Sequence, residues 1–375
     1  MGLLFAVLGQ IPDPRTGNAT RHRLLDVLMI ALVASICGCE SCVEFADFAE
    51  DREAFFREFL RLENGLPSHD TFSRLFRLLD PATLSACFGC FLDAVGAGGA
   101  GVVAIDGKTL RRSFDAASRG NPLAVVTAFA SASRLVIGQE SFRAADGESE
   151  ILAARALINC LDLHGHLVTA DAIHCQAETA RLIRARGGDY LLRLKANRPA
   201  MQEMVADYFA DQTTLATLAT HQSTDADHGR IEVRRAFVSH DLDWMNGTKA
   251  ACTEPATLPD LACLGMIEAS VERNGKTTVT RHYHLSSRIL TPEDYLSAAR
   301  SHWAIENGLH WVLDVTFDED RARNRKDNGP ENLAIIRKLA LNVLNRARPG
   351  ISIRRKRKRS GWSDEFARSV IGQMR

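Results

Sequence analysis

The chain lacks net charge: its 375 residues carry 46 lysines and arginines against 46 aspartates and glutamates. Composition therefore gives no global pull toward nucleic acid or an anionic membrane. A membrane-spanning run is also missing. The strongest apolar stretch, "VLMIALVASIC" over 27–37, falls well short of the roughly 20 residues a bilayer requires. Arg21 and Arg23 ahead of it and Cys39 behind give it the flanks of a lipoprotein signal. Helical material follows directly, however, so a core helix is the better reading and a cytoplasmic location the expectation. Internal repeats are absent. So is a nucleotide-binding P-loop: ahead of Gly107-Lys108-Thr109 the required glycine would stand at 102, where the residue is Val102, and Gly101 is one too early. A zinc knuckle is missing too. The nine cysteines include Cys37, Cys39 and Cys42, and Cys87 and Cys90, at metal-like spacings. Both groups lie in apolar helical stretches with no histidine at ligand spacing, so reduced thiols are expected.

What is present divides by texture. With 46% hydrophobic residues the chain can bury a large core in two or three domains. Residues 20–95 read as helices; in "SHDTFSRLFRLLD", Phe72, Leu75, Phe76 and Leu79 recur at helical spacing behind Ser68. "GAGGAG" (96–101) breaks this material. Strands are then predicted at 102–106, 123–130, 134–142, 166–171 and 190–195, with helices at 149–161 and 177–187. That order describes a mixed sheet covered by helices. From about 225 strands follow one another, and Asn274-Gly275 between alternating runs predicts a hairpin. Thr291, Pro292 and Asp294 predict the start of a long helix.

Two of the predicted strands run straight into an acid: "VVAID" into Asp106 and "HLVTAD" into Asp171. A buried carboxylate is costly unless something neutralises it, and the C-terminal edge of parallel strands is where open α/β sheets bind ligands. Either aspartate alone could be an ordinary helix cap. Together they suggest a divalent-metal site, which needs hard oxygen donors from separate segments. A third donor is sought on the helix of "ARSHWAIENGLHWVLDVTFDED" (299–320). There Glu306 interrupts an apolar stripe formed by Trp303, His310, Leu313 and Phe317. The rivals are Asp314, explicable by a surface salt bridge, and the cluster Asp318-Glu319-Asp320.

Candidate phosphate contacts accompany the acids. Lys108 and Arg111 follow Asp106, while Lys195 and Asn197 end a strand on the edge that carries Asp171. Arg300 and His302 precede Glu306; His302 and His310 flank it at i−4 and i+4, as DNA contacts or as hydrogen-bonded core histidines. Gly107 reads as a turn residue, and Trp303 and Trp311 as packing residues. "RARNRK" (321–326) is cation-rich, and "RRKRKR" comprises Arg354, Arg355, Lys356, Arg357, Lys358 and Arg359. The second run reads as a DNA-phosphate contact or as a solvated tail.

These segments, in this order, resemble the DDE transposases of bacterial insertion sequences, and more closely the H-repeat-associated transposase family. The resemblance rests on "RHRLLDVLMIAL", "PSHDTFSRLFRLLDP", "AIDGKTLRRS", "VTADAIHCQ", "HGRIEVR" and "RSHWAIENGLHWVLDVTFDED". It implies an α/β fold with an RNase H-like core. The expected domains are a helical N-terminal domain (1–95), a catalytic domain (100–348) with a β-rich insertion (199–287), and a basic tail (349–375). It also implies Asp106, Asp171 and Glu306 as catalytic acids holding two Mg²⁺ (or Mn²⁺) ions. The expected partner is double-stranded DNA, both terminal inverted repeats and target, bound by a homo-oligomer. The expected activity is cleavage at the element's ends, then strand transfer from the freed 3′-OH. An RNase H-like nuclease that cuts without joining, and a domesticated copy that only binds DNA, are the alternatives. The chain departs from related transposases that carry Tyr-x2-Arg-x3-Glu-x6-Lys around the last acid: those places hold Ala299, His302 and Leu313.

Overall fold

Helix α2 (Leu24–Cys37) is apolar on every side, and a helix of that kind is stable only when surrounded by protein. It is buried along nearly its whole length and ends at Gly38, whose φ of 114° allows Cys39 N–H to return to the Ala34 carbonyl at 2.9 Å. Among the described residues no single helix is long and apolar enough to cross a membrane.

The structure, a computed structural model, describes residues 2–94, 100–114, 121–143, 148–227, 230–247, 258–273 and 275–372. Around α2 the N-terminal stretch forms α1 (Gly2–Leu8), α3 (Cys42–Asp51), α4 (Glu53–Arg57), α5 (His69–Leu78) and α6 (Pro81–Ala94). Then come β1 (Val102–Thr109), β2 (Ala124–Ala130), β3 (Leu135–Phe142), α7 (Glu150–Cys160), β4 (Leu167–Ala170), α8 (Ala177–Ala185) and β5 (Asp189–Leu194). These are followed by α9 (Pro199–Ala210), α10 (Gln212–Thr217), β6 (Ala219–Asp227), β7 (Arg230–Ser239), β8 (Cys263–Arg273) and β9 (Lys276–Ser286). The chain closes with α11 (Pro292–Ile305), α12 (Trp311–Thr316), α13 (Gly329–Arg346), α14 (Ile353–Trp362) and α15 (Asp364–Ile371).

The chain forms two compact units. The first takes residues 1–99, 107–153 and 306–375. Its core is α13, which packs on α2, α5, α6 and β3, so the N-terminal and C-terminal helices share one interior. Two buried asparagines on α13 tie it to its neighbours. Asn342 bonds both Val136 N–H (2.9 Å) and Val136 C=O (2.8 Å) on β3, and Asn332 donates to the Phe76 and Leu79 carbonyls, each at 2.8 Å. The stretch 349–375, expected as a tail, instead holds α14 and α15, each with a serine N-cap accepting a backbone N–H.

The second unit takes residues 100–106 and 154–305. Its strands run in the order β1-β4-β5-β9-β8-β7-β6; β1, β4 and β5 are parallel, and from β9 onward every pairing is antiparallel. Helix α11 lies on this sheet against β4, β6, β7 and β8, where Leu296, Ala298 and Tyr295 join a core with Leu167, Leu191, Val238 and Ile267. Its start is the expected one: Asp294 N–H donates to Thr291 Oγ1 at 3.1 Å, and that hydroxyl donates to the Asp294 carboxylate. The 263–286 hairpin also forms, with Arg273 paired to Lys276 and Gly275 at φ 72°; Asn274 lies outside the described residues.

Candidate active site

The geometry of the site begins with two parallel strands. β1 and β4 pair from Val102↔Leu167 to Ile105↔Ala170. Asp106 and Asp171 are each the next residue, so two carboxylates leave neighbouring strands at the point where pairing stops. Strands so paired lie about 4.8 Å apart. β1 itself continues to Thr109, and Gly107 is within the strand, not in the expected turn. The reason for glycine is contact: a Cβ there would fall 2.6 Å from the carboxyl carbon of Glu150 at the start of α7. Glu150 is not among the acids singled out from motif and spacing, and only the fold brings it beside Gly107.

Asp171 stands with extended backbone (φ −60°, ψ 162°) before a short 3₁₀ turn, its side chain 57% exposed. His302 from α11 reaches it. Its Nε2 lies 3.7 Å from Asp171 Oδ1, and its Nδ1 lies 3.1 Å from Thr169 Oγ1 on β4. The imidazole holds the Asp171 carboxyl below the usual carboxylate range, against the opposing effect of burial. His302 is thereby a partner of the acid. Asn197 plays a similar part, donating through Nδ2 to the Ala172 carbonyl at 2.6 Å and pinning the residue after Asp171. Behind them Arg193 donates to His282 Nδ1 at 2.8 Å, and the Tyr295 hydroxyl lies 2.7 Å from His284 Nδ1. Burial pushes His284 down to about 3, so it stays neutral.

Glu306 opens a π-helical turn, Glu306–His310, between α11 and α12. It is exposed, as are Trp303 (51%) and Trp311 (57%), so neither tryptophan packs as expected and Glu306 does not interrupt a buried stripe. The buried face is Ile305, Leu309, Val312 and Leu313. The one extra residue of the π turn shifts the phase by about 100° for everything read backward through it from Leu313 and Phe317.

Lys108 does not face phosphate. It is largely but not fully buried in the first unit, paired with Asp314 and with Glu319 (2.8 Å). Asp314 is therefore committed to this network; Arg300, in the second unit, meets Asp225 at 2.9 Å. Glu319 is almost wholly enclosed, with Arg337 3.9 Å away. Burial alone would raise its carboxyl, but Lys108, Arg337 and Lys338 outweigh that and hold it low. Lys338 donates to Gln139 Oε1 at 2.8 Å, and burial pushes it down to about 8 from an ordinary 10.5. Below pH 8 folded and unfolded chains both carry this proton and the full desolvation penalty applies. Between about 8 and 10.5 only the unfolded chain keeps it, so stability rises with pH. Unfolding free energies across that window should show the rise, and Lys338→Met should remove it.

The remaining predicted cations divide by burial. Arg111 is exposed, 3.3 Å from Asp320, and Lys195 is exposed just beyond β5. On α14, Arg354, Arg355, Lys358 and Arg359 are exposed, but Lys356 and Arg357 are buried and leave the DNA-contact set. Lys356 donates to the Leu344 carbonyl at 2.7 Å. Arg357 donates to the carbonyls of Ser35, Cys39 and Thr316, and its guanidinium lies 4.1 Å over the Phe317 ring. Arg357→Ala should destabilise the fold by about 3 kcal/mol in denaturant unfolding, because it strands buried acceptors. An unchanged midpoint would contradict this anchoring role.

The eight described cysteines are free thiols. Cys37 and Cys42 are buried and Cys90 is exposed. Burial pushes Cys42 up to about 11 and Cys39 up to about 12, so both are protonated thiols at neutral pH. Among the described residues no three His, Cys, Asp or Glu side chains lie together as a metal group.

Comparison with known proteins adds a family. The description "Transposase DDE domain" matches residues 97–343, and "DDE_Tnp_1-associated" matches residues 5–92. Over 372 residues the chain is 32% identical to "H repeat-associated putative transposase YhhI" of Escherichia coli K12, covering 96% of this chain and 95% of that one. "Putative protein YbfL" of the same strain has the same identity and coverage. Among solved structures, a piggyBac transposase synaptic complex with hairpin DNA aligns at TM-score 0.45 and 12% identity, over 99% of this chain and 75% of that one.

Proposed function

The chain belongs to the DDE transposase family, and from that membership we propose that it cuts DNA at insertion-sequence ends and joins the freed 3′-OH to target DNA. The observation that carries this reading is the pair Asp106 and Asp171, each one residue past the last pairing of two adjacent parallel strands. Glu306 is proposed as the third acid, and the parallel strands β1, β4 and β5 as part of an RNase H-like core with β6–β9 in its insertion. Terminal inverted repeats and target DNA are the proposed partners, held by a homo-oligomer.

The donor chemistry fits a divalent cation. Asp106 and Asp171 offer hard carboxylate oxygens side by side, and Asp171 is held ionised by His302. Mg²⁺ or Mn²⁺, two ions in the proposed reading, would be held by these two acids and Glu306. When bound it would stabilise charge on the attacking and leaving oxygens of a phosphodiester. Thr169 orients His302 toward Asp171, and Asn197 fixes the backbone that follows the acid. Exposed Arg111 and Lys195 are left to meet phosphates.

The deciding experiment supplies full-length chain, Mg²⁺, a supercoiled target plasmid and a duplex of the element's own end, pre-cut to leave a 3′-OH. Covalently joined products are expected. Nicking without joining would leave a nuclease, and binding without either would leave a DNA-binding copy.

A further inference from the structure

The run "RARNRK" finds a place in the first unit that the acids do not explain. A cleft of about 420 Å³ opens there between α5 and the segment leading into α13, lined by Ser73, Arg77, Arg323, Arg325 and Lys326. Both walls are fixed. Helix α5 turns Phe72, Leu75 and Phe76 into the core and leaves Arg77 on its outer face. Asn332 holds the end of α5 through the Phe76 and Leu79 carbonyls, Asn328 donates to Leu79 at 3.0 Å, and Arg77 Nε donates to Asp327 at 2.7 Å. The four cations are all exposed, and among the described residues only Arg77 has a carboxylate partner.

We propose that this cleft is a second DNA contact, gripping the phosphate backbone of a duplex through Arg323, Arg325 and Lys326. This rests on the transposase reading and adds a site to it. Guanidinium forks match phosphate oxygens bidentately. Arg325 Nε donates to the Arg112 carbonyl at 3.4 Å, and three cations without a carboxylate partner on one fixed wall suit a repeating anion better than a single small one. The aromatic at the cleft, Phe76, is 1% exposed and offers no face to an unstacked base. Single strands are typically held by such stacking, so the cleft fits a duplex read through its backbone.

The test measures binding of the full chain to a random-sequence 30-base-pair duplex across a salt series. Against it stands the triple variant Arg323→Ser/Arg325→Ser/Lys326→Ser, which spares the Arg77–Asp327 pair. Each lost phosphate contact should flatten the log–log salt slope by about 0.9, so a slope shallower by roughly 2 to 3 is expected. The charge-preserving variant Arg323→Lys/Arg325→Lys/Lys326→Arg should keep the parental slope, which separates charge from misfolding. An unchanged slope in the serine variant, or an equal loss in both variants, overturns the cleft. A parent chain that binds no duplex at all overturns the transposase reading itself. Tighter binding of a 30-nucleotide single strand than of the duplex, lost in the serine variant, would assign the cleft to unpaired DNA and overturn the proposal.

Discussion

Asparagine at Asp171 is expected to cut DNA cleavage by at least about 10³-fold, a loss of some 4 kcal/mol of transition-state stabilisation. The substitution keeps the size of the side chain, its distance to His302 and the extended backbone before the 3₁₀ turn. It removes only the negative charge. Folding and duplex binding should therefore persist, as judged by melting and by gel shift. Asp106→Asn and Glu306→Gln should behave alike in a plasmid-cleavage assay with the element's own ends. Asp314→Ala supplies the contrast: that carboxylate is tied to Lys108, so its loss should lower stability while cutting remains. Near-parental cleavage by Asp171→Asn would remove the strand-end pair from the chemistry. Cleavage kept in Glu306→Gln and lost in Asp314→Ala would move the third acid.

The strand that leads into each aspartate was legible because a short, mostly apolar run and then an acid need no partner elsewhere to be recognised. The 102–105 and 167–170 strands pair as those runs suggest. The Thr291–Asp294 cap and the 263–286 hairpin were legible for the same reason, being local chemistry over a few residues. The helical stripe around Glu306 was not. Periodicity is read by assuming 3.6 residues per turn, and a π turn violates that assumption without a compositional mark. The misreading is confined to the residues upstream of the turn: Leu313 and Phe317 are buried as the pattern requires.

Charges misled in a different way. A run such as "RRKRKR" looks uniformly solvated, yet Lys356 and Arg357 are buried, at 3% and 4% exposure. Apart from Glu40, 3.5 Å from Arg357, their polar partners are backbone carbonyls at Ser35, Cys39, Thr316 and Leu344. Such acceptors exist at every residue and carry no sequence signature. The helical phase of α14 alone decides which cations turn inward. Lys108 is the same case in miniature: beside a candidate catalytic acid it reads as a phosphate contact, and only the fold brings Glu319 to it.

That pairing yields the largest expected effect on stability. Glu319→Gln should destabilise the first unit by about 3–5 kcal/mol, because it leaves Lys108 and Arg337 buried around a neutral amide. Lys108→Met should cost a similar amount by leaving Glu319 with only its more distant cations. The double variant Lys108→Met/Glu319→Gln should lose far less than the two single losses combined, since removing both charges together leaves neither member of that pair stranded. The pH dependence has a definite sign. Glu319 is held below its ordinary value of 4.5, so its contribution is complete above that pH. It disappears as the pH falls through the folded-state value, where protonation neutralises the acid. Denaturant unfolding of the parent should therefore weaken steeply on the acid side, and Glu319→Gln should lack that part of the slope. Additive losses in the double variant, with an unchanged acid limb in Glu319→Gln, would show that the three charges do not act as one unit. Lys108 would then be free to serve the neighbouring Asp106 instead of anchoring the strand that carries it.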